Sequence, residues 1–324
     1  MTPQIWLITG GAGYIGAHVT DTFLSSGKEV VIYDSLCQGL ESRVQYLRKK
    51  HGKEIPLIVA DIRDTAKLDE VLSTYNPYGI VHTAALKSVG ESMEKPDEYF
   101  EVNFHATTSL LELVKKHKIH HFIFSSTAAV YGAPEHSNPV TEDDPKNPIS
   151  AYGASKLAAE NEVTGFLKTP GNFGSSLRFF NVVGTSDLEL IDNSVENLVP
   201  IVMNKLKAGR PPIIYGTNYR THDGTCVRDY VDVRDIAQAH LAVADVAAKL
   251  PFAMNVGTGG GNSVREVIKL VCAASGDSAV VPVGENPRRG DPAFLCADVS
   301  LIRNAIGFSS NHSLEESIKS LLGD

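Results

Sequence analysis

Cysteine is scarce in this chain. Its four residues, Cys37, Cys226, Cys272 and Cys296, lie far apart in 324 positions and form no Cys-x-x-Cys pair. That spacing points to free thiols in a reducing, cytoplasmic setting, and no metal centre is expected. Long apolar runs are missing too. The N-terminal stretch Ile5-Trp-Leu-Ile8 has no basic flank and is too short for a signal core or a membrane span, so it reads as a strand and no membrane partner is expected. Positive charge is in deficit: 30 Lys and Arg face 38 Asp and Glu, for a formal net charge of -8. This argues against nucleic acid or an acidic membrane as the main partner. A nucleotide ligand needs only a few arginines in a pocket and stays compatible. Low-complexity segments and short repeats are absent. What is present is a hydrophobic content of 43%, enough for a large core or two joined lobes.

The first half alternates short β-branched runs with helical patterns. Ile5–Thr9, Glu29–Tyr33, Pro56–Ala60, Gly79–His82 and His121–Ser125 read as buried strands. Helix-period apolar positions fall in Tyr14–Ser26, Ala66–Tyr75 and Tyr99–Lys118. A further helix, Tyr152–Leu167, leads to a sixth strand, Gly174–Phe180. Such alternation predicts an α/β fold: a doubly wound parallel sheet with right-handed crossovers and helices on both faces. Beyond Asn181 the regularity breaks down into loops and helices near Val199–Ala208, Val233–Lys249 and Val264–Ala274. Residues 1–181 therefore read as a nucleotide-binding domain and 182–324 as a smaller substrate lobe, interleaved with the first because Ala253–Val256 should rejoin the main sheet.

Gly10, Gly13 and Gly16 stand at Gly-x-x-Gly-x-x-Gly spacing, after the first strand and at a helix start. Small residues let the backbone approach a pyrophosphate, and the helix opening at Tyr14 and Ile15 offers free N–H groups to it. A glycine triplet alone also suits an empty tight turn. Asp34 ends the second strand, where a carboxylate accepts hydrogen bonds from an adenosine ribose and repels a 2′-phosphate, favouring NAD over NADP. Asp61 and Ile62 follow the third strand in the same manner and are candidates for the adenine edge.

Tyr152 and Lys156, four apart on one helix, share a face. A nearby ammonium favours the phenolate, and a tyrosine so lowered can take a proton from a sugar hydroxyl. Ser125, Ser126 and Thr127 end the fifth strand, so one hydroxyl should face Tyr152. Each piece alone has a bland explanation, as strand terminus, surface aromatic or solvated charge; together, after a nucleotide turn, they form a reductase-type triad.

With these residues in view, the chain resembles the extended short-chain dehydrogenase/reductases, and among them the UDP-glucose (UDP-galactose) 4-epimerases. The marks are Gly10-Gly-Ala-Gly-Tyr-Ile-Gly16, Ala84-Ala-Leu-Lys-Ser-Val-Gly-Glu-Ser92, Ser125 to Gly132, Tyr152-Gly-Ala-Ser-Lys156, Arg178-Phe-Phe-Asn181, Asp223-Gly-Thr-Cys-Val-Arg-Asp-Tyr230 and Arg288-Arg-Gly-Asp291. The resemblance implies a Rossmann-type fold, a homodimer paired through the helices Tyr99–Lys118 and Tyr152–Leu167, and tightly bound NAD. It also implies that Tyr152, aided by Thr127, takes the proton of a UDP-sugar's 4-hydroxyl while a transient 4-keto sugar forms. Lys156 would contact the nicotinamide ribose. Ala84, Ala85, Lys87, Asn103 and Phe180 would join the cofactor side. On the substrate side it implies Lys87, Asn181, Asn197, Leu198, Tyr215 against uracil, Arg228 and Arg288 on the phosphates, and Asp291 on the uridine ribose. His82 and Tyr131 read as packing residues.

Related dehydratases and decarboxylases carry an acid just after the Ser/Thr, whereas Ala128 and Ala129 stand here, which favours epimerisation. Thr127 replaces a common serine, Ala151 a common proline, and the segment 185–196 is shorter than in several relatives. Leu295 stands where glucose-selective bacterial members often have tyrosine, and a smaller side chain there leaves room for an N-acetyl group. A nucleotide-sugar reductase or dehydrogenase, an epimerase of another UDP-sugar, and an NAD-binding relative without chemistry remain as alternatives.

Overall fold

The computed structural model describes residues 4–194, 197–288 and 291–323. In chain order the strands are β1 (Ile5–Thr9), β2 (Glu29–Asp34), β3 (Leu57–Val59), β4 (Gly79–His82), β5 (His121–Thr127), β6 (Phe173–Phe179), β7 (Asn181–Val183), β8 (Ile213–Tyr215), β9 (Val227–Arg228), β10 (Tyr230–Asp232), β11 (Ala253–Val256), β12 (Asn262–Ser263), β13 (Val283–Glu285) and β14 (Phe294–Leu295). The helices are α1 (Tyr14–Ser25), α2 (Glu41–His51), α3 (Thr65–Tyr75), α4 (Val89–Glu94), α5 (Pro96–Phe100), α6 (Ala106–Lys116), α7 (Ala151–Lys168), α8 (Leu198–Lys207), α9 (Val233–Ala244), α10 (Val264–Ala274), α11 (Ser300–Ile306) and α12 (Leu314–Ser320). None of the described helices is long and apolar enough to cross a membrane.

Seven strands form one parallel sheet in the order β11-β6-β5-β4-β1-β2-β3. Side chains alternate across its two faces as a pleat requires. Trp6 and Ile8 of β1 enter one apolar cluster with Phe23, Val44, Ile236 and Val243 from α1, α2 and α9. Leu7 enters the other, with Phe122, Phe124, Leu68, Leu110, Val163 and Phe166 from β5, α3, α6 and α7. A third cluster holds the later lobe together, from Val199, Met203, Tyr230, Val267 and Val271 on α8, β10 and α10. β11 rejoins the main sheet beside β6, and α9 packs on α1.

One helix goes unannounced in the sequence and one expectation needs correction. Helix α2 carries a run of charged residues and buries only Arg43, Val44 and Leu47, so no apolar stripe announces it. The single helix expected over Tyr99–Lys118 is interrupted by a wide π turn, Glu101–His105, between α5 and α6. Such turns re-aim a side chain, and this one turns Asn103 inward.

Among the described residues His18, His82, His121 and His240 are buried without a charged partner, and the polar contacts of three of them show how they are held. His82 lies between the hydroxyls of Thr9 and Thr107, at 2.6 and 2.9 Å. His240 meets Ser125 at 3.0 Å, and His18 accepts from the Ser186 amide at 3.0 Å. Burial pushes their pKa values down to about 3, about 4 and about 4. The unfolded chain protonates them near pH 6.5 and the folded one does not, so stability is lost as pH falls from about 6.5 towards 4, each by up to about 1.4 kcal/mol per pH unit. Thermal melts across that window should show a falling Tm, with a shallower slope in His240→Gln. A flat profile would contradict it.

Candidate active site

The glycine turn closes β1 at the point where the strand order reverses, between β2 and β4, which is where open parallel sheets bind ligands. Gly10 takes a left-handed φ of 71°, and a Cβ there would stand 2.7 Å from the Ala84 nitrogen at the end of β4. A Cβ on Gly16 would overlap the Gly10 carbonyl oxygen. α1 then opens at Gly13 without a side-chain cap, leaving the N–H groups of Tyr14 and Ile15 for a ligand. The Tyr14 side chain itself turns away and donates to the Gly184 carbonyl at 2.5 Å.

Asp34 lies across this turn. Its carboxylate accepts from the Ala12 amide at 2.9 Å and from Leu36 N at 2.8 Å, and burial raises its pKa against those bonds. Asp61 follows β3 but is held by Arg63 at 2.8 and 2.7 Å, which lowers its pKa, while Ile62 is buried in the core beneath. One segment escaped the sequence reading: 34–40 folds over the glycine turn. Leu36 there has a left-handed φ of 58°, Leu40 N donates to Ala12 O at 3.0 Å, and a Cβ on Gly39 would meet Asp34 at 2.6 Å. Gly39 was the available signal.

Thr127 ends β5, and its hydroxyl faces the half-buried Tyr152 phenol near the start of α7. Ser150 caps that helix from the Gly153 amide, which sets Tyr152 in its first turn. Lys156, one turn on, is buried with its ammonium over the Phe124 ring, 4.1 Å from the centroid. Burial opposes the expected acidification of Tyr152 by Lys156 in the chain alone. Burial raises the phenol's pKa against the pull of the Thr127 hydrogen bond, and burial pushes Lys156 down to about 7. Loss of water works against the charged form of each group in the chain alone.

Asn103 was expected beside the cofactor. Its amide is spent on Leu86 N and O at 2.8 and 3.0 Å and on Ser155 at 3.1 Å, so it pins the loop carrying Ala84, Ala85 and Lys87 to α7. Phe180 is buried beyond β6, in a cluster with Ala128, Tyr131 and Leu295. Tyr131 and His82 are packing residues in the structure, as their surroundings require.

On the substrate side Asn181 is exposed at the start of β7. Asn197 precedes Leu198 at the start of α8 and donates to Asp192 at 2.6 Å, and Lys87 stands 3.8 Å from the same carboxylate. Arg228, expected on a phosphate, is buried and pairs with Asp291 at 2.5 Å. The guanidinium of Arg288 covers the Tyr215 ring at 4.2 Å, the face expected for uracil. A base stacking there has to displace it. Arg289 and Gly290 of that motif, and Val195 and Glu196 before Asn197, lie outside the described residues.

Comparison with known proteins bears on this arrangement directly. Residues 6–257 match the model of the NAD dependent epimerase/dehydratase family. The chain belongs to that family. It is 36% identical to a UDP-glucose 4-epimerase of Corynebacterium glutamicum over 95% of this chain and 91% of that one. A UDP-glucose 4-epimerase of Streptomyces lividans is 36% identical over 95% and 92%. The fold matches the Bifidobacterium longum UDP-glucose 4-epimerase in complex with NAD+ and UDP at a TM-score of 0.91, with 34% identity over 98% of this chain and 97% of that one. The Stenotrophomonas maltophila enzyme with bound NAD and formylated UDP-arabinopyranose also gives 0.91, at 33% identity over 99% and 97%.

As in a member of this family, the residues present fit a dinucleotide: a turn no side chain fills, an uncapped helix start, and a fixed carboxylate at the end of β2. Gly16→Ala should lower stability by about 1–3 kcal/mol through overpacking and should release bound dinucleotide. Calorimetry and the absorbance of nucleotide freed on denaturation measure both. Full retention at unchanged Tm would count against this seat.

Proposed function

We propose that this chain is an NAD-dependent epimerase that inverts the 4-hydroxyl of a UDP-hexose, UDP-glucose and UDP-galactose being its pair. One observation carries the reading. The Tyr152 phenol and the Thr127 hydroxyl face each other at the carboxyl edge of the sheet, with Lys156 one turn away and no carboxylate at positions 128 and 129. The relatives named UDP-glucose 4-epimerase over nearly the whole chain support it.

In this mechanism Thr127 orients the sugar's 4-hydroxyl by hydrogen bonding, and Tyr152 takes its proton and later returns it to the same oxygen, once the ring has turned its other face to the site. NAD, when bound, would supply a reversible hydride acceptor, and its positive charge would favour the phenolate that burial alone opposes. Lys156, near the ring of Phe124, holds positive charge beside the phenolate. Asp34 would orient the adenosine ribose, with Tyr14 and Ile15 amides on the pyrophosphate. Asn181, Asn197, Lys87, Arg228 and Arg288 surround the expected path of the UDP-sugar, which Arg228 would meet by exchanging Asp291 for phosphate. Because Ala128 and Ala129 follow Thr127, no acid is at hand for elimination.

The coenzyme should stay bound through turnover, in a nucleotide lobe of residues 1–181 that faces a substrate lobe of 182–324. Homodimerisation through α6 and α7 is supported by apolar groups exposed nearby, Val89 and Met93 on α4 and Ile149 before α7. Four free thiols suit the cytoplasm.

Purified protein with no added cofactor should convert UDP-galactose to UDP-glucose by proton NMR. Tyr152→Phe should reduce kcat by about 10²–10⁴. Unchanged sugar despite bound NAD would favour a nucleotide-sugar reductase instead. Leu295 sits in one apolar cluster with Ala128 and Phe180, and its side chain is smaller than the tyrosine expected of glucose-selective members. Leu295→Tyr should therefore suppress turnover of UDP-N-acetylgalactosamine while sparing UDP-galactose; equal losses on both sugars would exclude that role.

A further inference from the structure

Beneath the Tyr152–Lys156 pair lies a buried ion pair that the mechanism above does not use. Glu160 stands one helical turn beyond Lys156 on α7 and is 3% exposed. Its carboxylate accepts from the Ser126 hydroxyl at 2.7 Å and from Arg178, whose Nε lies at 3.2 and 3.0 Å from the two oxygens and whose terminal nitrogen closes the pair. Ser126 and Arg178 are register partners on neighbouring strands, each one residue before an element of the site: Thr127 on β5, and Phe179 on β6 leading to Phe180 and Asn181. Arg178 in turn donates to Tyr131 at 2.8 Å, and Tyr131 to Asn255 of β11 at 2.7 Å.

We propose that Glu160 is a positioning residue for the reaction: its carboxylate clamps α7 to the strand ends at the level of Thr127 and holds the positive charge on Lys156. The geometry admits few competitors. On α7 itself Lys156 has Tyr152 and Glu160 as titratable neighbours. From β4 comes His82, which burial keeps neutral, and from β5 the uncharged Phe124, Ser126 and Thr127. α5 contributes Tyr99, edge-on to Tyr152 at 6.5 Å, and β6 contributes Arg178. Tyr131 is neutral, and Glu142 faces Arg178 and the Asn255 amide further away. Lys146 senses Glu160 and Arg178 from the loop before α7. Glu160 is the group that raises the pKa of Lys156 against its burial.

The sign follows from charge. Removing the carboxylate's charge makes the ammonium easier to lose, so the alkaline limb of activity moves to lower pH. Removing the Arg178 charge leaves Glu160 facing Lys156 alone, so the limb moves to higher pH. A residue that merely packed the helix would leave the limb in place in both.

The proposal rests on the epimerase reading, so the test carries a readout that needs no turnover. In protein labelled with ¹³C-lysine, the Lys156 ε-carbon, assigned by its loss in Lys156→Arg, is titrated by NMR beside the pH profile of kcat. We expect Glu160→Gln to lower both by about one pH unit and to reduce kcat with little change in KM, and Arg178→Gln to raise both. Unmoved titrations, or shifts of the same sign in the two variants, would overturn the proposal. If Glu160→Gln does not fold, Arg178→Gln decides by its sign, and Glu160→Asp, which keeps the charge, should titrate like the parent. Failure of all three to fold would assign the carboxylate to folding and also overturn it. NMR shifts without any epimerase activity would uphold the electrostatic assignment while removing the reaction it serves.

Discussion

An ammonium and a phenol held together away from water are poor company for an apolar core, and much of the molecule is arranged around keeping them there. Lys156 is stripped of solvent between the sheet and the helices that cover it, with the face of Phe124 in place of hydration. Its charge is expensive in that setting, and Glu160 below is the group that offsets the cost. Glu160 can serve only because Arg178 and Ser126 satisfy its oxygens. Removing one member of such a buried pair costs about 3–5 kcal/mol, because the partner is left charged and unpaired. The polar chain from Glu160 through Arg178 and Tyr131 to Asn255 therefore ties α7, β5, β6 and β11 at the carboxyl edge of the sheet.

A second set of polar contacts reaches from the elements around the glycine turn to residues 184–191. Tyr14 donates to Gly184 O, His18 accepts from Ser186 N, Tyr46 donates to Asp187 at 2.5 Å, and Arg43 donates to Ile191 O at 2.6 Å and to Ala12 O at 3.2 Å. Arg43 thus holds the carbonyls of Ala12 and Ile191 with one guanidinium. Asp192, the next residue, holds Asn197 and lies near Lys87. The glycine turn, Asp192 and Asn197 are thereby mechanically continuous, without any one of these contacts being visible as a motif.

Legibility varied with the range of the interaction involved. Helix α10 was readable to its ends because Ser263 and Glu266 form a capping box before an apolar stripe. β11 was readable because a short apolar run follows a helix, and its return to the sheet obeys the handedness of parallel connections. Helix α2 was not, since its stability comes from Val44 and Leu47 packing and from polar reach rather than a stripe. The π turn at Glu101–His105 was hidden for a related reason: the sequence keeps helical period, and Asn103 within it meets Leu86 only in the fold. In the site, Tyr152, Lys156 and Thr127 could be named in advance, while Arg228 bound to Asp291 and Arg288 lying on Tyr215 could not.

By itself the sequence determined the pieces whose physics is local: the glycine turn, the carboxylate at the end of β2, the four-residue step from tyrosine to lysine, and the absence of an acid after Thr127. Each depends on a backbone turn or on neighbours along one element. Tertiary structure alone decided which of these groups lose their water and what meets them when they do. Glu160, Arg178 and Ser126 lie on three elements, and only their convergence sets the charge on Lys156, because the strength of an ion pair depends on how completely the rest of the fold excludes solvent from it.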